Sequence, residues 1–253
     1  MRRLLIILIL LGLSVDSHAQ YSISLLLREN ESSPDSTLVI AAPGNGVFLL
    51  KSGRELLSLE QKEVLLPVQF PDFFIAEDAT FTSAGLYVKN GNGIYYCNGQ
   101  PILTMLFDTD NFRILPTADD NLFVFSHGLE QKALYTFNCQ NKDVTLIAQF
   151  PNDVVYAYGT RDEAFVVAGN CIYLLSEHKV LKLLDYFEPI ITAAQTESGL
   201  FFGTENNVML LIDKDIIGLV EEFGCKQLLS SDGRLFIYKK DGSLLCYPVS
   251  VAE

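Results

Sequence analysis

Residues 199–212, GLFFGTENNVMLLI, contain the pattern that decides the fold. An apolar run that begins with Leu200 and Phe201 is followed, after Asn206 and Asn207, by a second apolar run that begins at Val208. Asn and Gly tolerate the positive φ angles of tight turns at low cost. Two short apolar runs joined by such residues therefore predict a β-hairpin.

The same pair of runs recurs along the chain. A leucine or alanine followed by an aromatic residue starts the first run at Leu86-Tyr87, Leu122-Phe123, Ala164-Phe165, Leu200-Phe201 and Leu235-Phe236, with Leu38-Val39 as a weaker sixth case. The five stronger pairs are spaced 36, 42, 36 and 35 residues apart. The second runs begin at Val47, Ile94, Ala133, Ile172, Val208 and Ser243. A nearly constant period of this length predicts a repeat architecture.

Two further strand-like runs complete each repeat. One is closed by a phenylalanine, at Phe70, Phe107, Phe150, Phe187 and Phe223. It includes the runs Pro101–Leu106, Lys179–Leu184 and Asp215–Val220. We expect Phe107, Phe150 and Phe187 to have similar surroundings. The other precedes the leucine-aromatic pair, at Val154–Tyr158, Ile190–Ala194 and Gln227–Ser230. Four strands in about 40 residues are typical of a β-propeller blade.

The repeat predicts an all-β protein that forms a single β-propeller of six four-stranded blades. The 234 residues that follow residue 19, divided by six, give 39 residues a blade. A β-sandwich or two small β domains would also contain frequent hairpins. Neither explains why the leucine-aromatic pair, the second apolar run and the closing phenylalanine all recur with the same period. The last repeat stops after its third strand, and Ser22–Arg28 could close the ring as the missing outer strand. Alternatively, Ser22–Arg28 is the innermost strand of the first blade.

A weak family resemblance agrees with this fold. The sequence Gly199-Leu200-Phe201-Phe202-Gly203-Thr204, followed by Asn206-Asn207-Val208, resembles the bacterial propeller repeats of two-component-regulator and quinoprotein type. The chain lacks the tryptophan that often marks those blades, because it contains no Trp. The resemblance implies the fold alone, and no functional residue is carried over from it.

The N-terminus predicts export. Arg2 and Arg3 precede an apolar run over Leu4–Leu13, and Ser17-His18-Ala19 has the small-x-small pattern of a cleavage site. This is the layout of a secretory signal peptide, whereas the apolar run is too short for a membrane span of about 20 residues. We expect a signal peptide over residues 1–19, a propeller domain over 20–253, and a periplasmic or secreted protein without a membrane span after cleavage.

Charge and composition exclude several classes of function. With 31 acidic and 18 basic residues, the net charge is −13, which argues against nucleic acid and anionic lipid as partners. The five cysteines match no zinc-site spacing, so disulfides are possible but not required. Neither an HExxH nor a G-x-S-x-G motif occurs. The sequence therefore predicts no metal, no cofactor and no identifiable catalytic residue.

Carboxylates and aromatic residues are the remaining candidates for a site. Those near the repeating phenylalanine fall on connections between blades, which we expect to form an acidic, aromatic-flanked rim around one mouth of the central channel. The candidate binding residues are Asp72, Phe73, Asp108, Asp110, Phe112, Asp153, Tyr156 and Glu188. This pattern favours a non-enzymatic propeller that binds a protein or glycan partner of the cell envelope through a loop face. The alternative is a glycan hydrolase or lyase that uses carboxylates at the channel mouth.

Overall fold

The computed structural model describes residues 19–22, 37–42, 46–51, 55–58, 64–67, 76–82, 85–96, 101–104, 111–119, 121–127, 132–176, 179–212, 215–220 and 224–249. These residues form twenty-four β-strands. In chain order they are β1 (Ala19–Ser22), β2 (Thr37–Ala42), β3 (Gly46–Lys51), β4 (Glu55–Ser58), β5 (Val64–Pro67), β6 (Asp78–Thr82), β7 (Gly85–Asn90), β8 (Gly93–Tyr96), β9 (Pro101–Thr104), β10 (Phe112–Leu115), β11 (Asn121–His127), β12 (Lys132–Asn138), β13 (Val144–Phe150), β14 (Val154–Gly159), β15 (Glu163–Ala168), β16 (Cys171–Ser176), β17 (Lys179–Asp185), β18 (Thr192–Thr196), β19 (Gly199–Gly203), β20 (Val208–Ile212), β21 (Asp215–Val220), β22 (Cys225–Ser231), β23 (Arg234–Lys239) and β24 (Ser243–Pro248). None of the described segments is a helix long and apolar enough to cross a membrane.

The strands form six antiparallel sheets of four strands each. We call β2–β5, β6–β9, β10–β13, β14–β17 and β18–β21 blades 1 to 5, and β22, β23, β24 and β1 together blade 6. The first strands of the blades contact one another in succession from β2 to β22, and β22 contacts β2. The sheets therefore surround a central axis in a closed ring, and the predicted six-bladed β-propeller is confirmed.

The leucine-aromatic pairs hold neighbouring blades together. Successive residues of a strand point to opposite faces of its sheet, so both members of a pair become buried when a blade lies between two others. Leu122 packs in the cluster between blades 2 and 3, whereas Phe123 packs in the cluster between blades 3 and 4. Leu200 and Phe201 divide in the same way between the two sides of blade 5. Burying each such side chain stabilises the fold by about 1.5–3 kcal/mol.

The predicted strands match the observed ones in most repeats, but the sixth leucine-aromatic pair is out of phase. Leu38-Val39 lies on β2, the innermost strand of blade 1, whereas the five stronger pairs lie on second strands. The equivalent second strand is β3, where Val47 and Phe48 pack on opposite sides of blade 1. The interpretation of Leu38-Val39 as the leading pair of its blade is therefore wrong by one strand.

The repeating phenylalanine does not have the constant surroundings that we expected. Phe150 is only 6% exposed, whereas Phe187 is 79% exposed. Phe150 lies opposite Lys132, the first residue of β12, and Asp185 lies opposite Cys171, the first residue of β16. Phe187 thus follows the equivalent position by two residues and belongs to the next loop. Phe70, Phe107 and Phe223 lie outside the described residues.

An N-terminal strand closes the ring as the outer strand of blade 6, but it is shorter and earlier than Ser22–Arg28. β1 pairs with β24 from Ala19 opposite Cys246 to Ser22 opposite Ser243. Because Ser243 is the first residue of β24, the pairing ends at Ser22. Residues 23–28, and residues 1–18 of the predicted signal peptide over 1–19, lie outside the described residues.

Candidate functional site

One face of the propeller contains the connections between blades. It includes the loops that lead from an outer strand to the next inner strand, such as 151–153 and 186–191, and the turns between second and third strands, such as 169–170 and 240–242. Backbone hydrogen bonds join the two kinds of loop, for example from Lys240 N to Gly224 O at 2.7 Å. We call this side the connection face. The other side carries the turns between first and second strands.

Hydrogen bonds fix the part of the connection face around blade 4. Gly169 N donates to Asp153 O at 3.2 Å, and Ile190 N donates to Gly169 O at 3.0 Å. The side-chain amide of Asn170 donates to Tyr186 O at 2.7 Å, while Tyr186 N donates back to Asn170 O at 2.8 Å. The turn at 169–170 is therefore held between the preceding and the following interblade loops.

The loop 186–191, which we call the Phe187 loop, presents an aromatic side chain to solvent. Tyr186 anchors the loop because it is buried, with its ring centroid 5.2 Å from that of Phe202. Phe187 follows with its centroid 4.4 Å from that of Tyr186, and Ile191 is also exposed. A rigid loop that leaves a phenylalanine in water is a feature of contact surfaces, because buried aromatic side chains dominate interface energies.

Asp153 lies next to the turn at 169–170, whose Gly169 N donates to its backbone oxygen. Its carboxylate contacts Lys132 and His127. One carboxylate oxygen lies 3.0 Å from the Lys132 ammonium and 3.2 Å from His127 Nδ1. The hydrogen bond from Lys132, together with that from His127, lowers the pKa of Asp153. The His127 ring also packs edge-on against Phe125 at a centroid distance of 4.7 Å. This cluster ties blade 3 to the loop that begins blade 4.

A central cavity of about 840 Å³ is lined mainly by the inner strands. Its described charged lining residues are four acids and four bases: Glu77, Asp78, Glu197, Asp232, Lys89, Arg113, Lys226 and Arg234. The cavity wall is thus balanced in charge, although the whole chain is strongly acidic. Three phenols also line it, and burial raises the pKa of Tyr156, Tyr158 and Tyr238.

The eight candidate residues from the sequence fall into separate places. Asp72, Phe73, Asp108 and Asp110 lie outside the described residues. Asp153 and Glu188 lie on the connection face, and neither lines the central cavity. Phe112 is buried at the start of β10, with the Lys89 ammonium 4.9 Å from its ring centroid. The hydroxyl of Tyr156 accepts a hydrogen bond from Gln195 N at 2.7 Å inside the ring.

Sequence reasoning missed the residues that are most available for contact. Phe187 was interpreted as the end of a repeating strand. It is exposed because it lies two residues beyond the strand end, an offset that the spacing of the phenylalanines does not reveal. Arg113 and Lys226 line the cavity, yet each is a single cation in an otherwise apolar or neutral stretch. Only their positions on inner strands distinguish them, and the assignment of inner strands required the sheet order.

The described residues do not form a metal-binding arrangement. They contain no group of three or more His, Cys, Asp and Glu side chains placed to hold a metal ion. No disulfide joins Cys139, Cys171, Cys225 and Cys246 to one another. What the described residues do provide is a rigid loop face and a central cavity.

Comparison with known proteins supports the fold. No known family model matches the sequence, and no curated protein matches it significantly. A chain of the nidogen/laminin complex is similar in structure, with a TM-score of 0.54, 12% identity, and coverage of 73% of this chain and 77% of that one. BamB from Moraxella catarrhalis has a TM-score of 0.52 and 13% identity over 85% and 83% of the two chains.

A third similar structure comes from a much longer chain. It is the extracellular domain described as that of a hybrid two-component system, BT4673, from B. thetaiotaomicron, with a TM-score of 0.57 and 17% identity. The match covers 87% of this chain but 33% of that one. At these identities the likeness concerns the fold, and all three structures agree with the propeller derived from the sheet order.

Proposed function

We propose that the protein is an exported, non-enzymatic β-propeller that binds a protein partner of the cell envelope through its connection face. The exposed Phe187 is the observation that carries this proposal. Its loop is fixed by the buried Tyr186 and by the hydrogen bonds of Asn170, so little conformational entropy is lost when a partner covers it. Preorganised aromatic side chains contribute strongly to affinity for this reason.

The acids and the fold support the same proposal. Asp185 precedes the Phe187 loop and Glu188 lies within it, next to Phe187. A polar rim around an apolar contact is typical of protein interfaces. A chain of similar fold occurs in the nidogen/laminin complex, and a second is an extracellular domain. The N-terminal segment with the pattern of a signal peptide supports export.

Site-specific photocrosslinking in the cell of origin tests the binding face. A photoreactive phenylalanine analogue replaces Phe187 in one variant and Leu146 in the control; Leu146 is also exposed but lies on the outer strand β13. We expect one crosslinked protein from position 187 and none from position 146. Equal crosslinking from both positions, or none from position 187, would contradict the proposal. A crosslink from position 187 to a glycan would contradict a protein partner and indicate a glycan as the ligand of this face.

Affinity measurements with the partner identified by crosslinking provide the quantitative test. Replacing a central aromatic contact commonly costs about 2 kcal/mol or more, which corresponds to about a thirtyfold loss of affinity. We therefore expect Phe187→Ser to weaken binding about thirtyfold and Leu146→Ser to leave it unchanged. Export is tested by the N-terminus of the protein purified from the envelope fraction, which should begin at Gln20.

A further inference from the structure

The central cavity has the size and shape of a small-molecule site. Its volume of about 840 Å³ lies within the range of about 300–1,000 Å³ that is usual for ligand pockets. The walls combine apolar side chains such as Leu38, Val155 and Leu228 with a few polar groups. Such sites use apolar walls for affinity and a small number of polar groups for specificity.

Most acids of the cavity wall already pair with a base. Two of the cations, Lys226 and Arg113, still have nitrogens that could bind an anionic group. Glu77 binds the Lys89 ammonium and accepts from Gly91 N at 3.0 Å. Asp232 pairs with Arg234 at 3.4 Å. Lys226 has no carboxylate within ion-pair distance in the part of the chain that the structure describes, and its ammonium lies 5.0 Å from the Tyr238 ring centroid.

Arg113 is the second available cation. Its Nε lies 3.7 Å from Asp78 Oδ2, which is longer than a hydrogen bond. In the described residues, the two terminal nitrogens of its guanidinium have no hydrogen-bond partner. Its side chain is 45% exposed and lines the cavity. A guanidinium with a free fork binds a carboxylate through two parallel hydrogen bonds.

The topology places the two cations on opposite inner strands, near the same end of each strand. Arg113 is the second residue of β10, and Lys226 is the second residue of β22. These strands belong to blades 3 and 6 of a six-membered ring, so they face each other across the axis. Both strands begin at the connection face, so the cations lie near the same mouth of the cavity.

Two phenols add hydrogen-bond donors on the wall between them. Tyr156 uses its hydroxyl oxygen as the acceptor for Gln195 N, and in the described residues its proton has no acceptor. Tyr158 lies two residues further along β14 and also lines the cavity. Burial raises the pKa of both phenols, so they remain neutral donors at physiological pH. Among the described lining residues, the groups with unused capacity are therefore these two cations and two phenols, together with two acceptors, the buried Gln195 Oε1 and the Glu197 carboxylate.

From this arrangement we infer that the central cavity binds a small dicarboxylate, with one acid group at Arg113 and the other at Lys226. A monoanion would use only one of the two opposed cations. A cationic ligand would place its charge beside the Lys226 ammonium and the Arg113 guanidinium. The inference does not depend on the proposed protein partner, because it concerns the purified protein alone.

Isothermal titration of the purified protein tests the inference with a series of probes. Succinate, adipate and suberate differ in the distance between their carboxylates, hexanoate is the monoanionic control, and 1,6-diaminohexane is the dicationic control. We expect at least one dicarboxylate to bind at least tenfold more tightly than hexanoate. The inference is overturned if no dicarboxylate binds in the millimolar range, or if hexanoate or the diamine binds as tightly.

Charge-neutralising variants test the assigned residues. Arg113→Gln and Lys226→Gln should each weaken dicarboxylate binding at least tenfold, whereas Lys179→Gln, the same charge change on the exposed outer strand β17, should leave it unchanged. Asp78→Asn removes the negative charge beside Arg113 and should tighten binding. Equal losses in all three glutamine variants, or weaker binding by the Asp78 variant, would contradict the assignment.

Discussion

Gly199 begins β19 with a φ of +138°, a backbone conformation that residues with a side chain rarely adopt. A Cβ at this position would lie 2.5 Å from Leu211 O, a backbone atom of the paired strand β20. The space cannot open without separating the two strands. The glycine in the GLFFG stretch is therefore required by both backbone angle and close approach.

Replacing Gly199 with alanine should destabilise the protein severely. We expect Gly199→Ala to lower the free energy of unfolding by about 3 kcal/mol or more, because strain and a backbone clash add. Gly91 is the matched control, with a φ of +55° and nothing within 4 Å of an added Cβ. Gly91→Ala should cost only about 1–2 kcal/mol. Urea denaturation of both variants measures the difference, and equal losses would show that the contact with Leu211 is unimportant.

Asp78 is a carboxylate that the fold makes harder to ionise. Burial raises its pKa above 3.8, although Arg113, the Ile114 and Ala79 amides and Lys89 all act to lower it. A carboxyl whose pKa is raised in the folded state binds more protons there than in the unfolded chain. Its contribution to the free energy of unfolding is therefore greatest below pH 3.8 and is lost as the pH rises through the folded-state pKa.

The Asp78→Asn variant should remove this pH dependence. The stability of the variant relative to the parent should increase as the pH rises from about 4 to about 7, because only the parent must ionise a buried carboxyl. The asparagine oxygen can still accept from Ile114 N, which donates to Asp78 at 3.1 Å in the parent. Urea midpoints at several pH values measure the difference. A stability difference that does not change with pH would contradict the prediction.

The charged residues of the cavity illustrate what the sequence could not show at the residue scale. Alternation of apolar and polar positions reveals which side chains share a face only while the pairing register is regular. Bulges between Val154 and Tyr156 and between Cys225 and Gln227 shift that register on two of the inner strands. The sheet face on which Tyr156 and Lys226 each lie is therefore known from the observed pairing and could not be predicted from alternation.

At the scale of elements, side chains connect strands that belong to different sheets. Thr192 Oγ1 of β18 accepts from Leu228 N of β22 at 2.8 Å, and this bond is buried. Ser231 Oγ of β22 accepts from Gly46 N of β3 at 3.0 Å. Neighbouring blades do not share a β-ladder, so such side chains satisfy backbone donors that would otherwise be unpaired.

Removing the hydroxyl of Thr192 tests this role. Thr192→Val keeps the shape of the side chain but leaves the buried Leu228 N–H without an acceptor, which should lower the free energy of unfolding by about 1–3 kcal/mol. Thr192→Ser keeps the hydroxyl and should lose less. Denaturant unfolding of the three proteins decides the matter. If valine and serine have the same effect, the loss arises from packing and not from the hydrogen bond.

Strand positions were predictable at the scale of elements because each second strand is buried on both faces. In the sequence, this burial produces the recurring leucine-aromatic pair. The run Asp215–Val220 coincides with β21, and Lys179–Leu184 differs from β17 by one residue. Blade 1 was assigned out of phase because the sequence Gly44-Asn45-Gly46, which is typical of a turn, falls between the first and second strands of that blade, β2 and β3. Turn residues mark hairpins but do not say which pair of strands in a blade they join.

At the scale of the whole molecule, the described core consists of six apolar clusters, one for each contact between neighbouring blades. The cluster between blades 6 and 1 contains Phe236 and Val47, which are distant in sequence. Each blade is thus stabilised by two neighbours, and an open ring would expose two blade faces. The number of blades was predictable from the repeat length, whereas the exposed loop and the cavity charges depend on the assembled ring.

Removing β1, the strand that closes the ring, should affect both the stability of the protein and its state of association. A chain that begins at residue 23 lacks β1 and leaves the outer edge of β24 unpaired, although it retains every other described strand. We expect it to be less stable by about 2–5 kcal/mol, as ladder hydrogen bonds contribute about 0.5–1.5 kcal/mol each. It should also self-associate through the free edge, because unpaired edges promote strand addition.

The control for this truncation is a chain that begins at Gln20, the expected mature N-terminus. It retains three of the four pairs between β1 and β24, from Gln20 opposite Leu245 to Ser22 opposite Ser243. It should therefore remain monomeric and close to full stability. Urea unfolding and sedimentation velocity compare the two chains. If the chain from residue 23 is as stable and as monomeric as the control, then β1 does not close the ring in solution, and blade 6 is held by the contacts of β22 with its neighbours.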